Sequence, residues 1–341
     1  MSGAQSRIAV LGAGAWGTAL ASALVRNGHA VTLWGRDPQI LAAIRDQQEN
    51  PRYLPGAALP AGIATTTSLA EAAAEGERLL LAAPSYAFRE LLRELDRPLR
   101  AGKPVIWACK GLEPETHLLL HEVVAAEFGT ETPPHGVISG PSFAREVVAG
   151  LPTALTVAAS DSALADEVVT WFHGGGIRAY SNPDIIGVEL GGALKNVLAI
   201  ACGVADGLGF GANARAAVIT RGLAELMRLG EALGGRAETL MGLAGLGDLV
   251  LTCTDDQSRN RRFGLAIARG LSADEAAAEI GQAVEGLRTA RAAAALAERH
   301  QIDMPIVEQV NAVLHGGRAP RDAVTQLLER DPKDELPTGG A

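Results

Sequence analysis

A short apolar run, residues 8–11, leads into Gly12-Ala13-Gly14-Ala15-Trp16-Gly17 and then into a helical run, 18–27, stopped by Gly28. A strand that ends in spaced glycines and re-emerges as a helix leaves few folds open. Gly12 permits the tight turn, Gly14 lets the backbone approach a pyrophosphate, and Gly17 lets the helix pack on the strand. Amide N–H groups and the positive helix end then face the phosphates. A second strand over 30–34 completes the context, so a dinucleotide site on a Rossmann-type sheet is expected.

Gly35-Arg36-Asp37 closes that second strand, where a carboxylate would hold an adenosine 2′-hydroxyl and an arginine would accept a 2′-phosphate. Both residues are present. Arg36 is the nearer, which favours NADP(H) with NAD(H) tolerated, and Asp37 reads as the cap of a helix beginning near Pro38. Further strands are expected at 63–65, 78–82, 105–107, 137–139, 154–158 and 177–180, mostly with helices between them. That alternation predicts an α/β fold with a doubly wound, mostly parallel sheet whose ligands lie beyond the carboxyl ends of its strands. Three of those ends carry distinctive residues: Ala83-Pro84-Ser85, Cys109-Lys110-Gly111 and Gly140-Pro141-Ser142-Phe143-Ala144. The first would turn beneath a cofactor, the second places an ammonium after a buried strand, and the third offers free amides.

Beyond residue 184 the strand pattern stops and helices follow, expected at 187–203, 214–233, 261–269, 273–280, 288–300, 306–315 and 320–329. The division is therefore a dinucleotide-binding domain over 1–183, an all-α substrate domain over 184–331 and a loose polar tail over 332–341. Within the first of these helices Lys195 and Asn196 interrupt a nearly uncharged stretch. The helical neighbours of Lys195 at three and four residues are Gly191, Gly192, Leu198 and Ala199, a small apolar face on which an ammonium is costly unless something binds it. The chain has 30 basic residues but only four lysines, Lys103, Lys110, Lys195 and Lys333, so ordinary surface charge is left to arginine and Lys195 stands out as a site residue.

The stretch 242–264 adds two features. Asp248 follows a glycine cluster expected to keep its surroundings open, and is the candidate partner of the buried lysine. Ser258, Arg259 and Asn260 lie where a helix begins, so side-chain donors and a guanidinium stand beside free N–H groups, an arrangement suited to phosphate. Arg261 and Arg262 read as a solvated face, and 282–286 as a turn between helices in which Glu285 has no role assignable from the residues alone.

A net charge of −9 and the lack of any basic run argue against a nucleic-acid surface, so an anionic substrate would need local arginines. Cys109, Cys202 and Cys253 have neither a zinc-like nor a disulfide-like spacing and read as buried filler in a reducing compartment. His117 and His121 read as a helix-surface pair, and no metal is expected. The opening MSGAQSR lacks the pattern of a signal peptide, and charge or glycine breaks each apolar segment before membrane length, so a cytoplasmic location is expected.

GAGAWGTALA, CKGLE, GPSFA, LKN, GLAGLGDLVLTCT, SRNRRFG and VEG stand in this order over nearly the whole chain. Together they resemble the bacterial NAD(P)-dependent sn-glycerol-3-phosphate dehydrogenases. The resemblance implies reversible reduction of dihydroxyacetone phosphate to sn-glycerol 3-phosphate, feeding phospholipid synthesis, with Lys195 as general acid and base. It also implies cofactor positions at Ala15, Trp16, Arg36, Lys110, Ala144, Arg259, Ala283 and Glu285, beside the glycines Gly12, Gly14 and Gly17. Substrate positions are implied at Lys110, Gly140, Ser142, Lys195, Asp248, Ser258, Arg259 and Asn260. Cys109 and Tyr86 replace threonine and histidine, which are commoner in that family, and Ala283 replaces a larger aliphatic residue. A homodimer is expected from the apolar helical half.

Overall fold

The computed structural model describes residues 5–331, so the tail expected over 332–341 lies outside the described residues. The strands are β1 (Arg7–Leu11), β2 (Ala30–Trp34), β3 (Glu49–Asn50), β4 (Leu54–Ala58), β5 (Ile63–Thr66), β6 (Arg78–Leu81), β7 (Val105–Trp107), β8 (His135–Ser139), β9 (Thr153–Ala159) and β10 (Ile177–Asn182). Eight form one sheet in the order β10-β9-β8-β7-β6-β1-β2-β5, while β3 and β4 make a separate hairpin. Pairing is parallel throughout the sheet except between β8 and β9, which are antiparallel. Each of the eight strands expected from the sequence is a strand of this sheet. The hairpin was not expected.

The strands read as apolar runs because helices cover both faces of the sheet. Alternate residues divide accordingly. Ile8, Val10, Leu80, Ile106 and Ile138 enter the cluster on one face, and Ala9, Leu11, Leu79, Leu81, Trp107 and Val137 the cluster on the other. β1 pairs with β2 on one side and β6 on the other, so the chain reverses its progress across the sheet there, and a crevice opens beyond their carboxyl ends.

The chain leaves the sheet at Asn182, and the Asp184 side chain accepts from Gly187 N at 2.9 Å to open the helix Ile185–Gly207. This helix is the spine of the molecule. Val188 packs in the sheet-face cluster, whereas Leu190, Leu194, Val197, Leu198 and Ile200 sit in the core of the helical half. It is long and apolar enough to cross a membrane, yet most of it is buried inside the protein. Around it pack the helices Gly211–Ala232, Asp248–Thr254, Arg259–Ala268, Glu285–Arg299 and Pro305–His315.

Candidate active site

The nucleotide turn has the geometry its glycines call for. Gly12 has φ +130°, and a Cβ there would stand 2.8 Å from the Ala82 carbonyl oxygen; a Cβ on Gly17 would collide with Gly12 O at 1.8 Å. Gly14 differs, because a Cβ there would meet nothing within 4 Å. It caps the helix Ala15–Arg26, which starts inside the motif, three residues before the expected position. No side chain caps that helix and no acidic residue lies in its first turn, so the amides of Ala15 and Trp16 are free for an anion. The turn therefore fits a pyrophosphate.

Around this crevice a cluster of charge is assembled from three elements. Lys195, on the spine helix, donates to Asp248 Oδ1, and Lys110, just past the end of β7, donates to Asp248 Oδ2 at 2.8 Å and to the Gly140 carbonyl at 3.0 Å. Asp248 is fully buried rather than open as expected. The glycine cluster before it forms a π-helical turn, Leu243–Gly247, that lies directly against the spine helix: a Cβ at Gly191 would stand 2.3 Å from Ala244 O. Glycine there is a requirement of close approach, and that approach brings carboxylate and lysine together.

The titration of the trio follows from burial and charge. Burial pulls the Lys195 ammonium down to about 7; the Asp248 carboxylate opposes this and the ammonium of Lys110 reinforces it. Burial alone would push the Asp248 carboxyl up, but its two cationic neighbours outweigh that and hold it below its usual range. An amine poised near neutrality, oriented by a carboxylate, can both give and take a proton at physiological pH.

Asn196 ties this cluster to the next one. Its amide donates to Lys110 O at 3.0 Å and to Gly192 O at 3.2 Å, and its Oδ1 accepts from Asn260 Nδ2 at 2.8 Å. Asn260 Oδ1 in turn accepts from Gly286 N at 3.0 Å. Ser258 is the N-cap of Arg259–Ala268, its Oγ accepting from Arg261 N at 3.2 Å. Arg259 begins that helix half-buried, with Gln282 Oε1 at 3.4 Å as its hydrogen-bond partner, and burial lowers its pKa. A guanidinium so placed, with no carboxylate bonded to it among the described residues, is suited to an anionic ligand.

Ser142 Oγ donates to Gly140 O at 2.9 Å, beside Lys110, and Ala144 opens the short helix Ala144–Val148 without a side-chain cap. Trp16 turns its ring toward Lys110 Nζ, 5.7 Å from the centroid, and its Nε1 is buried without a partner. Glu285 is the first residue of the helix Glu285–Arg299 and not part of a turn, a correction to the expectation for 282–286. Its carboxylate accepts from Ser85 N at 3.3 Å and Ser85 Oγ at 2.7 Å, and burial raises its pKa against those bonds. Ala283 is exposed beside it. Arg36 is exposed, with Glu90 at 3.7 Å.

Two further expectations are corrected. Arg261 is not solvated: its side chain is 11% exposed and donates to Asp206 Oδ2 at 2.7 Å, because the helix Arg259–Ala268 turns that face onto the spine. His117 lies before the helix Leu120–Phe128, with φ +64°, so it shares no helix face with His121. His121 instead meets Glu189 at 2.5 Å, a partner from the spine helix. Sequence reasoning missed the link from Lys110 to Asp248, the bond from Ser85 to Glu285, and Glu90 beside Arg36. Each joins residues far apart in the chain, and only the strand-end position of Lys110 and Ser85 gave a hint.

Comparison with known proteins adds an independent line. Residues 7–165 match the family model for the NAD-dependent glycerol-3-phosphate dehydrogenase N-terminus, and residues 184–325 match the model for its C-terminus. A relative from Thioalkalivibrio sulfidiphilus, named glycerol-3-phosphate dehydrogenase (NAD(P)+), is 58% identical over 332 residues, covering 97% of this chain and 99% of the relative. One from Stenotrophomonas maltophilia with the same name is 54% identical over 338 residues, covering 99% and 98%. The crystal structure of glycerol-3-phosphate dehydrogenase from Coxiella burnetii superposes with a TM-score of 0.91 at 48% identity, covering 96% of this chain and 99% of that one. A 2-dehydropantoate 2-reductase from Geobacter metallireducens, at 21% identity and a TM-score of 0.57, shares the fold.

Proposed function

Because this chain belongs to the NAD-dependent glycerol-3-phosphate dehydrogenase family, we propose a residue-by-residue reading of how it performs that family's reaction. The protein is an NAD(P)-dependent oxidoreductase that interconverts dihydroxyacetone phosphate and sn-glycerol 3-phosphate. The dinucleotide supplies or accepts the hydride at its nicotinamide. In the reductive direction Lys195 gives its proton to the substrate oxygen as the carbonyl carbon is reduced, and in the oxidative direction it takes that proton back. Asp248 fixes the Lys195 amine, and Lys110, held by Asp248 and Gly140, polarises the same oxygen. Asn196 does not polarise it: its amide is committed to Lys110 O, Gly192 O and Asn260, so it braces the site.

Arg259, Asn260 and Ser258 grip the phosphate, with Ser142 and Gly140 at the opposite wall. Their binding energy fixes the geometry of the reacting carbon as well as affinity. Gly12, Gly14, Ala15, Trp16 and Gly17 hold the pyrophosphate, Arg36 the adenosine 2′-phosphate, and Ala144, Ala283, Arg259 and Glu285 the remainder of the dinucleotide. NADP(H) is the preferred cofactor on this reading. Residues 1–183 serve as the dinucleotide-binding domain and 184–331 as the substrate domain of a cytoplasmic homodimer that supplies glycerol phosphate for phospholipids.

The observation that carries the reading is the buried Lys195–Asp248 pair with the partly exposed Lys110 on the same carboxylate, at the mouth of the nucleotide crevice. The test mixes purified protein and NADPH with dihydroxyacetone phosphate or with ketopantoate and follows nicotinamide absorbance. Oxidation with the first substrate is expected; oxidation only with the second would move the protein to another reductase on the same fold, and oxidation with neither would leave a dinucleotide sensor. Lys195→Ala is expected to remove turnover while NADPH still binds.

A further inference from the structure

Two ion pairs gather at the end of β2, where the adenosine end of the crevice lies in this fold. Arg36, two residues past β2, stands 3.7 Å from Glu90, on the helix Phe88–Glu94 that follows β6. Asp37 stands 3.8 Å from Arg52. Since β2 and β6 are the two neighbours of β1, the Arg36–Glu90 pair spans the strand ends between which the adenosine half of a dinucleotide lies in this fold.

Ordinarily a carboxylate at the end of the second strand tells the two dinucleotides apart by bonding the ribose 2′-hydroxyl. Asp37 is committed elsewhere. Its Oδ1 accepts from Gln39 N at 2.9 Å and Ile40 N at 3.4 Å as the cap of Pro38–Gln47, and its Oδ2 faces Arg52. Discrimination is therefore left to the other pair.

We propose that Glu90 is a specificity-determining residue, acting through Arg36 to limit the preference for the 2′-phosphorylated dinucleotide over the unphosphorylated one. An unphosphorylated ribose leaves the Arg36–Glu90 pair intact. A 2′-phosphate, carrying up to two negative charges, must take the guanidinium from Glu90 and then sit with that carboxylate as a like-charged neighbour. Both side chains are about two-thirds exposed, which confines the effect to a modest factor and makes it salt-dependent. The pair thus works as an internal competitor for the phosphate, which accounts for how one site serves both cofactors. This inference rests on the placement of Arg36 at the 2′-phosphate proposed above.

The test measures KM for NADPH and NADH at saturating dihydroxyacetone phosphate for the full-length wild type, Glu90→Gln, Glu94→Gln and Arg36→Ala, at low and at physiological salt. Glu94, one turn further along the same helix and exposed, controls for a general change of charge. Glu90→Gln is expected to lower KM for NADPH and raise the KM(NADH)/KM(NADPH) ratio about 3- to 10-fold at low salt and by less at physiological salt. Glu94→Gln is expected to leave the ratio as it is. An unchanged ratio in Glu90→Gln, or an equal change in Glu94→Gln, overturns the role of Glu90. Arg36→Ala separates the two levels: if it collapses the ratio while Glu90→Gln leaves it unchanged, only Glu90 is wrongly assigned, and if Arg36→Ala also leaves it unchanged, the placement of Arg36 falls first.

Discussion

At the scale of the residue, Lys195 is set by two opposing forces, burial and the Asp248 carboxylate, and burial is the larger, bringing its pKa to about 7. The sign of the pH dependence follows. Ketone reduction needs the ammonium, so its kcat should fall as pH rises through about 7; alcohol oxidation needs the free amine, so its kcat should fall as pH drops through the same value. Asp248→Asn removes the one group that raises the Lys195 pKa and leaves Lys110 lowering it, so the reductive limb should move to lower pH. Steady-state profiles in both directions check this, and a limb that stays in place in Asp248→Asn would rule out the carboxylate as the tuning group. Arg259 allows a second measurement. Truncation to alanine should reduce kcat/KM for dihydroxyacetone phosphate by about 2–4 kcal/mol, roughly 30- to 1,000-fold, with Arg259→Lys between the two because charge survives while the planar fork is lost. Equal kcat/KM in all three proteins would remove Arg259 from the phosphate site.

At the scale of the element, a second buried carboxylate ties one helix to another. Glu225, on Gly211–Ala232, accepts from Ile306 N at 2.8 Å and Val307 N at 3.2 Å, the first turn of Pro305–His315, where proline occupies the first position. Burial raises its pKa to about 7 against those hydrogen bonds and the charge of Arg228. A folded-state pKa above the unfolded value contributes stability that is complete below the usual carboxylate range and is lost as pH rises through about 7, a loss of roughly 3 kcal/mol. The wild-type Tm should therefore drop between pH 5 and pH 8, and Glu225→Gln should flatten that drop and be the more stable protein at pH 8; parallel Tm curves would refute it. Elements of this kind differ in how openly the chain declares them. The sheet strands were legible because burial on both faces makes them unbroken apolar runs, and the spine helix because its length and its lone lysine stand out. The hairpin of β3 and β4 was not, since Leu54–Ala58 contains proline and glycine and shows no alternation. The π-helical turn Leu243–Gly247 and the helix Asp248–Thr254 were hidden by glycines that locally signal a break, and only packing against Gly191 organises them. The start of Glu285–Arg299 was missed because Val284, its N-cap, makes no side-chain cap bond.

At the scale of the whole molecule, site chemistry and architecture meet in the spine helix. Lys110 comes from the sheet and Asp248 from the helical half, and the lysine they converge on stands on the element that contributes to both cores. Ser85 and Glu285 repeat the crossing farther along the crevice, as do His121 and Glu189. The residue types at these crossings were visible in the chain, but their pairing was not, because it depends on two halves folding against each other at separations of 68 to 200 residues. One consequence concerns cooperativity. If the halves were merely tethered, heating would melt them separately, and a dinucleotide would raise only the transition of the sheet. With Val188 in one core and Leu190 in the next, and with the Lys110–Asp248 pair joining the sheet half to a fully buried carboxylate of the helical half, separate melting would expose uncompensated charge. Calorimetry should show a single transition, raised by NADPH alone and by glycerol phosphate alone, each by an amount set by RT ln(1 + [L]/Kd), about 2.7 kcal/mol at a hundredfold excess over Kd. Two resolved transitions, each responding to only one of the ligands, would break the link between the spine helix and the assembled site.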